Sequence, residues 1–258
     1  MAMKALCIGT ALALLLPSAQ AASDEDATPP GLSVPAAAPQ SAPPTPAVEA
    51  EAKAETIPKR ADFAKEQASR EARQLADWIV DSGDHRNAHF AIIDKKSARL
   101  FVFEASGSLQ GASNVLLGAA RGDHTVAGIG DKKLSAVRPQ ERTTPAGRFV
   151  AAVGTNGRGE DVVWVDYDAA VSMHRVIRTP DRLKRIATAT AKDKRVSYGC
   201  INVPAAFYDS VLSPAFTSAE GIVYVLPEIR PMREVFADLY DVDERLARRN
   251  ASESAPAR

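Results

Sequence analysis

The sequence predicts a mainly β fold, a sandwich or barrel with one short helix packed on it and a further helix at each end. Seven short segments rich in β-branched and aromatic residues are bounded by turn residues, which is typical of strands in such folds. Two longer stretches, one on each side of these segments, carry apolar residues at helical spacing. The composition, 45% hydrophobic and 25% charged, is that of a globular protein.

The first 21 residues have the features of a secretory signal peptide. Lys4 precedes an apolar run, and Ala19-Gln20-Ala21 forms a small-x-small cleavage pattern, so we expect a signal peptide over 1–21. The run is shorter than the roughly 20 residues that a membrane-spanning helix requires, and we expect no span in the mature protein. Residues 22–58, rich in Ala, Pro, Ser and Thr, predict a disordered linker.

Helical periodicity predicts an N-terminal helix over residues 59–84. Its apolar positions are Ala61, Ala64, Ala68, Ala72, Leu75 and Ile79. Gly83 lies where such a helix would stop. At the other end of the chain, an amphipathic pattern predicts a helix over 231–249, followed by a flexible tail over 250–258.

We place the folded domain at residues 85–230. Its predicted strands are 88–94, 99–104, 113–118, 147–153, 161–167, 169–174 and 221–226. Residues 204–212 begin with proline and predict the short helix that packs on the sheet.

Charge and metal-ligand spacing exclude several function classes. The 32 basic and 32 acidic residues balance, which does not fit a polybasic nucleic-acid binder, so we expect no nucleic-acid partner. His85, His89 and His124 have no paired ligand spacing, and we predict neither a metal site nor a cofactor.

Signal cleavage would remove Cys7 and leave Cys200 as the only cysteine. Exported proteins usually keep an even number for disulfides, so a single thiol is either a small buried hydrophobe or a nucleophile. In segment 197–202, SYGCIN, the glycine permits a tight turn that presents the thiol and backbone N–H groups to a carbonyl oxygen. His174 ends an apolar strand, a rigid position from which it could deprotonate that thiol.

Three motifs occur in a fixed order: the turn 144–147 (TPAG) before a strand, His174 at a strand end, and SYGCIN. This ordered set resembles the catalytic domain of the L,D-transpeptidases, the YkuD family of bacterial cell-wall enzymes. The resemblance covers residues 88–227 and implies an L,D-transpeptidase-like fold for the domain at 85–230.

The resemblance implies that Cys200 is the nucleophile and His174 the general base. The residues implied in the oxyanion hole and its loop are Ser197, Tyr198, Gly199 and Asn202. It also implies a periplasmic enzyme that acts on peptidoglycan stem tetrapeptides through a thioester. The acceptor stays open: a diaminopimelate amine would give a 3-3 crosslink, a protein lysine a wall-anchored protein, and water an L,D-carboxypeptidase.

The sequence departs from the family pattern in three places. Tyr198 stands where many members have histidine, Arg175 follows the predicted base where a small residue is usual, and the segment between His174 and Ser197 is longer than common. These departures bear on substrate preference more than on the chemistry.

The long segment is strongly basic. Residues 175–195 contain eight basic and two acidic residues, a net charge of +6 in a neutral chain. Positive potential beside a cleft concentrates anionic ligands, and we predict that Arg175, Arg178 and Arg195 bind the carboxylate-bearing stem peptide. A solvated loop without a ligand is the alternative.

Two other function classes remain as alternatives. A sortase-like transpeptidase would have a Thr-rich strand before the cysteine and a catalytic arginine on a following strand, whereas this chain has SYGC and the TPAG turn. A wall-binding module would keep the fold without turnover, with Arg175 blocking the base.

Overall fold

A computed structural model of the chain describes residues 59–217 and 219–253. The predicted signal peptide (1–21), the predicted linker (22–58) and residues 254–258 of the predicted tail lie outside the described residues.

The described residues form an eight-stranded sheet and a separate two-stranded sheet. The strands are β1 (Phe90–Asp94), β2 (Arg99–Phe103), β3 (Leu109–Asn114), β4 (Leu117–Gly118), β5 (Gly147–Thr155), β6 (Asp161–Asp166), β7 (Val171–Arg175), β8 (Arg195–Ser197), β9 (Ile201–Val203) and β10 (Gly221–Val225). In the larger sheet their order is β3-β2-β1-β10-β5-β6-β7-β9, while β4 pairs in parallel with β8.

The long strand β5 joins the two halves of the larger sheet. Its first part pairs with β10, placing Phe149 opposite Val223, and its second part pairs with β6, placing Val153 opposite Val163. One apolar core contains buried residues from both halves, such as Val223 and Met173. The two halves therefore enclose a common core, which confirms the predicted mainly β fold class.

Six α-helices accompany the strands in the described part of the chain. They are α1 (Arg70–Ser82), α2 (Pro180–Ala187), α3 (Ala205–Phe207), α4 (Ser213–Thr217), α5 (Met232–Val235) and α6 (Val242–Glu253). A π-helical turn, Tyr208–Leu212, joins α3 to α4, and Tyr208, Leu212 and Phe216 enter the common core. The helix predicted at 204–212 is therefore present, and its helical backbone continues to Thr217.

The N-terminal helix α1 is shorter than the predicted 59–84. Its first residue follows Ser69, whose hydroxyl accepts a hydrogen bond from the Ala72 N–H and caps the helix. The preceding residues are not helical, and Asp62 exchanges backbone hydrogen bonds with Gly107 and Leu109. Gly83 ends the helix in the left-handed conformation, at the position expected from the sequence.

At the C-terminus, two helices replace the single predicted helix over 231–249. The break follows Val235, where the backbone of Phe236 leaves helical angles, and both Phe236 and Leu239 are buried. These two side chains join α1 in an apolar cluster on the outer face of β1, β2 and β10. Helix α6 then continues into the segment predicted as a flexible tail.

The strand predicted at 113–118 is divided between the end of β3 and the short strand β4. Strands β8 and β9 were not predicted; each has three residues, and they flank the segment that contains Cys200.

Candidate active site

Parallel pairing of β7 with β9 brings the predicted base close to the predicted nucleophile. In this register Met173 is opposite Ile201 and His174 is opposite Asn202. Cys200 immediately precedes β9 and therefore lies beside Ser172 of β7, on the strand that carries His174. Two neighbouring parallel strands require a long crossover connection between them. The connection from β7 to β9, which contains α2 and β8, therefore makes this pairing possible.

The Cys200 thiol is half-buried and surrounded by polar groups. Its Sγ lies 3.5 Å from the Ala170 carbonyl oxygen and 3.9 Å from the Ser172 hydroxyl. Burial alone would raise the pKa of the thiol, but its interaction with the nearby His174 imidazole outweighs burial, and the pKa of Cys200 is lowered. A lowered pKa increases the thiolate fraction at neutral pH, and the thiolate is the nucleophilic form.

The backbone holds the His174 imidazole in one orientation. Its Nδ1 lies 2.8 Å from the Arg175 carbonyl oxygen, which only accepts hydrogen bonds, so Nδ1 carries the hydrogen. Its Nε2 is consequently the atom free to exchange a proton with the thiol. Burial acts to lower the pKa of His174, but its interaction with Cys200 outweighs burial and raises the pKa. The two opposite shifts are those expected of a thiol and an imidazole that interact.

The loop before Cys200 requires a glycine. Gly199 has φ of 140°, and a Cβ there would lie 2.9 Å from the Thr143 carbonyl oxygen. The Ser197 hydroxyl accepts a hydrogen bond from the Gly199 N–H at 3.1 Å and donates to the Cys200 carbonyl at 2.6 Å. The Ser197 hydroxyl thus holds the turn at both Gly199 and Cys200.

The TPAG turn holds this loop through hydrogen bonds of Thr144. The buried Thr144 hydroxyl donates to the Gly199 carbonyl at 2.8 Å and accepts from the Gly118 N–H at 2.9 Å. The Thr144 carbonyl in turn accepts from Nζ of Lys95 at 2.8 Å. The TPAG turn and the SYGC loop, far apart in sequence, are thus in direct contact.

A buried ionic network lies behind the turn. Lys95 is fully buried, with Nζ 2.7 Å from an Asp123 carboxylate oxygen and 3.9 Å from Glu228. Burial alone would raise the pKa of Asp123, but hydrogen bonds from Lys95 and from the backbone N–H groups of residues 228–230 hold it well below its usual range. The network connects the TPAG turn, through Lys95 and Asp123, to residues 228–230, which follow β10.

Two of the three predicted substrate-binding arginines have protein partners instead. Arg195 is nearly buried and donates to the Glu228 carboxylate at 2.6 Å and to the Lys95 carbonyl at 3.0 Å, which places it in the buried network. Arg175 pairs with Asp161 at 2.7 Å and with Asp209 at 2.6 Å.

Because successive side chains of a strand point to opposite faces, the Arg175 side chain is directed away from that of His174. Arg175 therefore does not block the predicted base in the way that the wall-binding alternative assumes. Arg178 is exposed, with no ion pair among the described residues.

Asn202 and Tyr198 have different surroundings. Asn202 is buried; its amide nitrogen lies 3.3 Å from the Cys200 carbonyl and 3.4 Å from Nε2 of His174. Its amide oxygen accepts from Arg182. Tyr198 is exposed, and the Arg142 guanidinium lies 4.2 Å from its ring centre.

Sequence reasoning missed Ser172 and Arg182 as site residues. Ser172 lies two residues before His174 on β7 and therefore on the same face, so strand periodicity could have identified it. Arg182 was visible only as one of several basic residues, and no local pattern distinguishes it from the others.

The described residues contain no group of three or more His, Cys, Asp or Glu side chains that could hold a metal ion. Their helices include none that is long and apolar enough to cross a membrane.

Comparison with known proteins finds distant structural relatives. No family model and no curated protein matches the chain. Among solved structures, it is similar to an L,D-transpeptidase of Enterococcus faecium (17% identity, TM-score 0.32, covering 54% of this chain and 50% of that chain). It is also similar to an L,D-transpeptidase of Xylanimonas cellulosilytica (16%, 0.33, covering 54% and 60%) and to the helical cell shape determining protein Pgp2 of Campylobacter jejuni (14%, 0.37, covering 71% and 65%).

The chain thus spans about half to two thirds of the length of these chains. At such TM-scores the likeness supports no conclusion about function. Any such conclusion has to rest on the geometry of the site.

Proposed function

We propose that this chain is a cysteine L,D-transpeptidase that acts on peptidoglycan stem tetrapeptides. The observation that carries the proposal is the paired thiol and imidazole: a half-buried Cys200 of lowered pKa beside His174, whose Nδ1 is held by a backbone carbonyl. A nucleophile, its base and a group that orients the base form the arrangement used in acyl transfer. The ordered TPAG, histidine and SYGC motifs support the same chemistry.

In the proposed acylation step, the Cys200 sulfur attacks the carbonyl carbon of the third stem residue and forms a C–S bond. The Gly199 N–H already donates a hydrogen bond to the Ser197 hydroxyl. Other N–H groups of the loop would stabilise the oxyanion. The His174 imidazolium gives its proton to the departing D-Ala amine as the C–N bond breaks, which leaves a thioester.

In the second step, an acceptor amine attacks the thioester carbonyl and neutral His174 takes the acceptor's proton. The C–S bond breaks and the thiolate-imidazolium pair is restored. A diaminopimelate amine, a protein lysine or water would each complete this step. The predicted signal peptide supports action in the periplasm, where peptidoglycan is the substrate.

Release of D-Ala from a purified tetrapeptide stem, followed together with intact mass of the protein, tests the proposal. We expect D-Ala release and a covalent acyl adduct that Cys200→Ala abolishes without unfolding the chain. A carbapenem, whose strained carbonyl is an analogue of the acyl donor, should form a stable adduct on the same residue. The absence of both D-Ala release and any adduct from a folded, alkylatable protein would overturn the proposal.

A further inference from the structure

The basic residues of the 175–195 segment differ in their partners. Arg185 pairs with Asp181, Arg175 with Asp161 and Asp209, and Arg195 with Glu228. Lys194 is buried and contacts a neutral group, the Asn114 amide oxygen. Arg182 also contacts a neutral group, the Asn202 amide oxygen, but its partner is the residue that contacts Nε2 of His174.

Arg182 lies next to the reacting groups. It belongs to α2, within the connection from β7 to β9, and its backbone N–H donates to the capping Thr179 hydroxyl at the start of that helix. Its partner Asn202 is the register partner of His174 and contacts Nε2 of that residue. The positive charge of Arg182 also acts to lower the pKa of His174.

This contact orients the Asn202 amide. Since a guanidinium only donates hydrogen bonds, the Asn202 oxygen faces Arg182 and the Asn202 nitrogen faces His174 and the Cys200 carbonyl. The half-buried Arg182 has further donors, and among the described residues no carboxylate lies within ion-pairing distance of it. A guanidinium with free donors and no counter-ion matches the planar, two-oxygen geometry of a carboxylate.

We propose that Arg182 is a specificity-determining residue that binds a carboxylate of the peptide substrate beside the Cys200–His174 pair. The inference rests on the proposed function, since a stem tetrapeptide brings such a group in two places: its C-terminal carboxylate and the carboxylates within the stem. A neutral peptide would leave the Arg182 charge unpaired beside His174 and bind more weakly.

Binding of a tetrapeptide to the Cys200→Ala protein, measured by calorimetry, tests the proposal without turnover. Adding Arg182→Gln should weaken binding about tenfold or more, the loss expected when a charge-assisted hydrogen-bonded pair is removed. Arg182→Lys, which keeps the charge but not the fork, should bind with intermediate affinity. Arg158→Gln, which removes one exposed charge from the β5–β6 turn, should bind within about twofold of the parent.

A C-terminally amidated tetrapeptide separates the two sources. If the amide binds about tenfold more weakly than the acid and is insensitive to Arg182→Gln, Arg182 binds the C-terminal carboxylate. If the amide binds as tightly as the acid and is still weakened by Arg182→Gln, it binds a carboxylate within the stem. Binding equal in parent and Arg182→Gln proteins of the same melting temperature would overturn this inference alone. A folded parent that binds neither peptide would overturn the proposed function together with it.

Discussion

His174 and Asn202 face each other as register partners on the parallel strands β7 and β9, with the Asn202 amide nitrogen 3.4 Å from Nε2 of the imidazole. This pairing determines the position of Cys200, which is the residue before β9. The predicted base therefore lies within a strand, and the predicted nucleophile lies directly before one, in a loop held by Ser197 and Thr144. Sites built on strands hold their geometry more closely than sites built on loops.

The first prediction concerns the pH dependence of thiol reactivity. Because the interaction with His174 lowers the pKa of Cys200, more thiolate is present below the ordinary thiol pKa of about 8.5, so alkylation should stay rapid there. His174→Gln should return the alkylation midpoint toward that value and slow acylation by about two to four orders of magnitude. Iodoacetamide rates measured across pH by intact mass provide the check. An alkylation profile shared by the variant and the parent would contradict the pairing.

The second prediction concerns the Thr144 hydroxyl. Thr144→Val keeps the shape but leaves the Gly199 carbonyl and the Gly118 N–H without their partner, so we expect a loss of about 1–3 kcal/mol of stability. Acylation should slow as well, because the carbonyl it holds belongs to the nucleophile loop. Chemical denaturation and single-turnover acylation measure the two effects.

Thr143→Val is the matched control, because the Thr143 hydroxyl donates to the His124 carbonyl and not to the nucleophile loop. Its acylation rate should stay near that of the parent. Equal rates in the two variants would show that the Thr144 hydroxyl does not position the loop.

The third prediction concerns the backbone before the cysteine. Gly199→Ala should impair acylation strongly, because the new Cβ would meet the Thr143 carbonyl oxygen at 2.9 Å in a conformation that L side chains rarely adopt. Gly157→Ala meets nothing within 4 Å and should change stability by less than about 1 kcal/mol. Acylation rates and denaturation curves of the two variants provide the measurement. They compare a position where a Cβ would clash with one where it would meet open space. Full activity of Gly199→Ala would show that the loop tolerates a side chain.

The fourth prediction concerns acid stability. The pKa of Asp123 is lower in the folded chain than in the unfolded chain, so its contribution is present above the unfolded value of about 3.9 and is lost as the pH falls below it. Asp123→Asn should cost about 3 kcal/mol near neutral pH, because Lys95 keeps its buried charge without its closest counter-ion. The variant's stability should also change less as the pH falls below about 4, the range in which this carboxylate loses most of its contribution. Parallel acid slopes for the variant and the parent, from denaturation series, would contradict the assignment.

The fifth prediction concerns Arg175. Its partners Asp161 and Asp209 are partly exposed, so Arg175→Gln should cost about 1 kcal/mol or less, as solvent-screened ion pairs do. KM for the tetrapeptide should stay near the parent value, because the side chain points away from His174. A large rise in KM with unchanged stability would return Arg175 to the substrate-binding residues.

Local patterns in the sequence account for most of the sheet and for the identity of the reactive pair. Strand periodicity gave the approximate positions of β1, β2, β5, β6, β7 and β10, because alternation and β-branching are properties of neighbouring residues. The stop of α1 at Gly83 was predictable for the same reason, whereas its start depended on the Ser69 cap and on the backbone pairing of Asp62 with Gly107. Strands β8 and β9 are too short to show a period.

By itself, the sequence determined the fold class and the candidate reactive residues, since side-chain type and local spacing are properties of the sequence. The tertiary structure alone decided which charges are available to a ligand. Arg175 and Arg195 find Asp161, Asp209 and Glu228 at positions distant in sequence, and Arg182 finds the Asn202 amide instead. A count of charges along a segment gives its net charge but not its pairing, because ion pairs depend on distance in space.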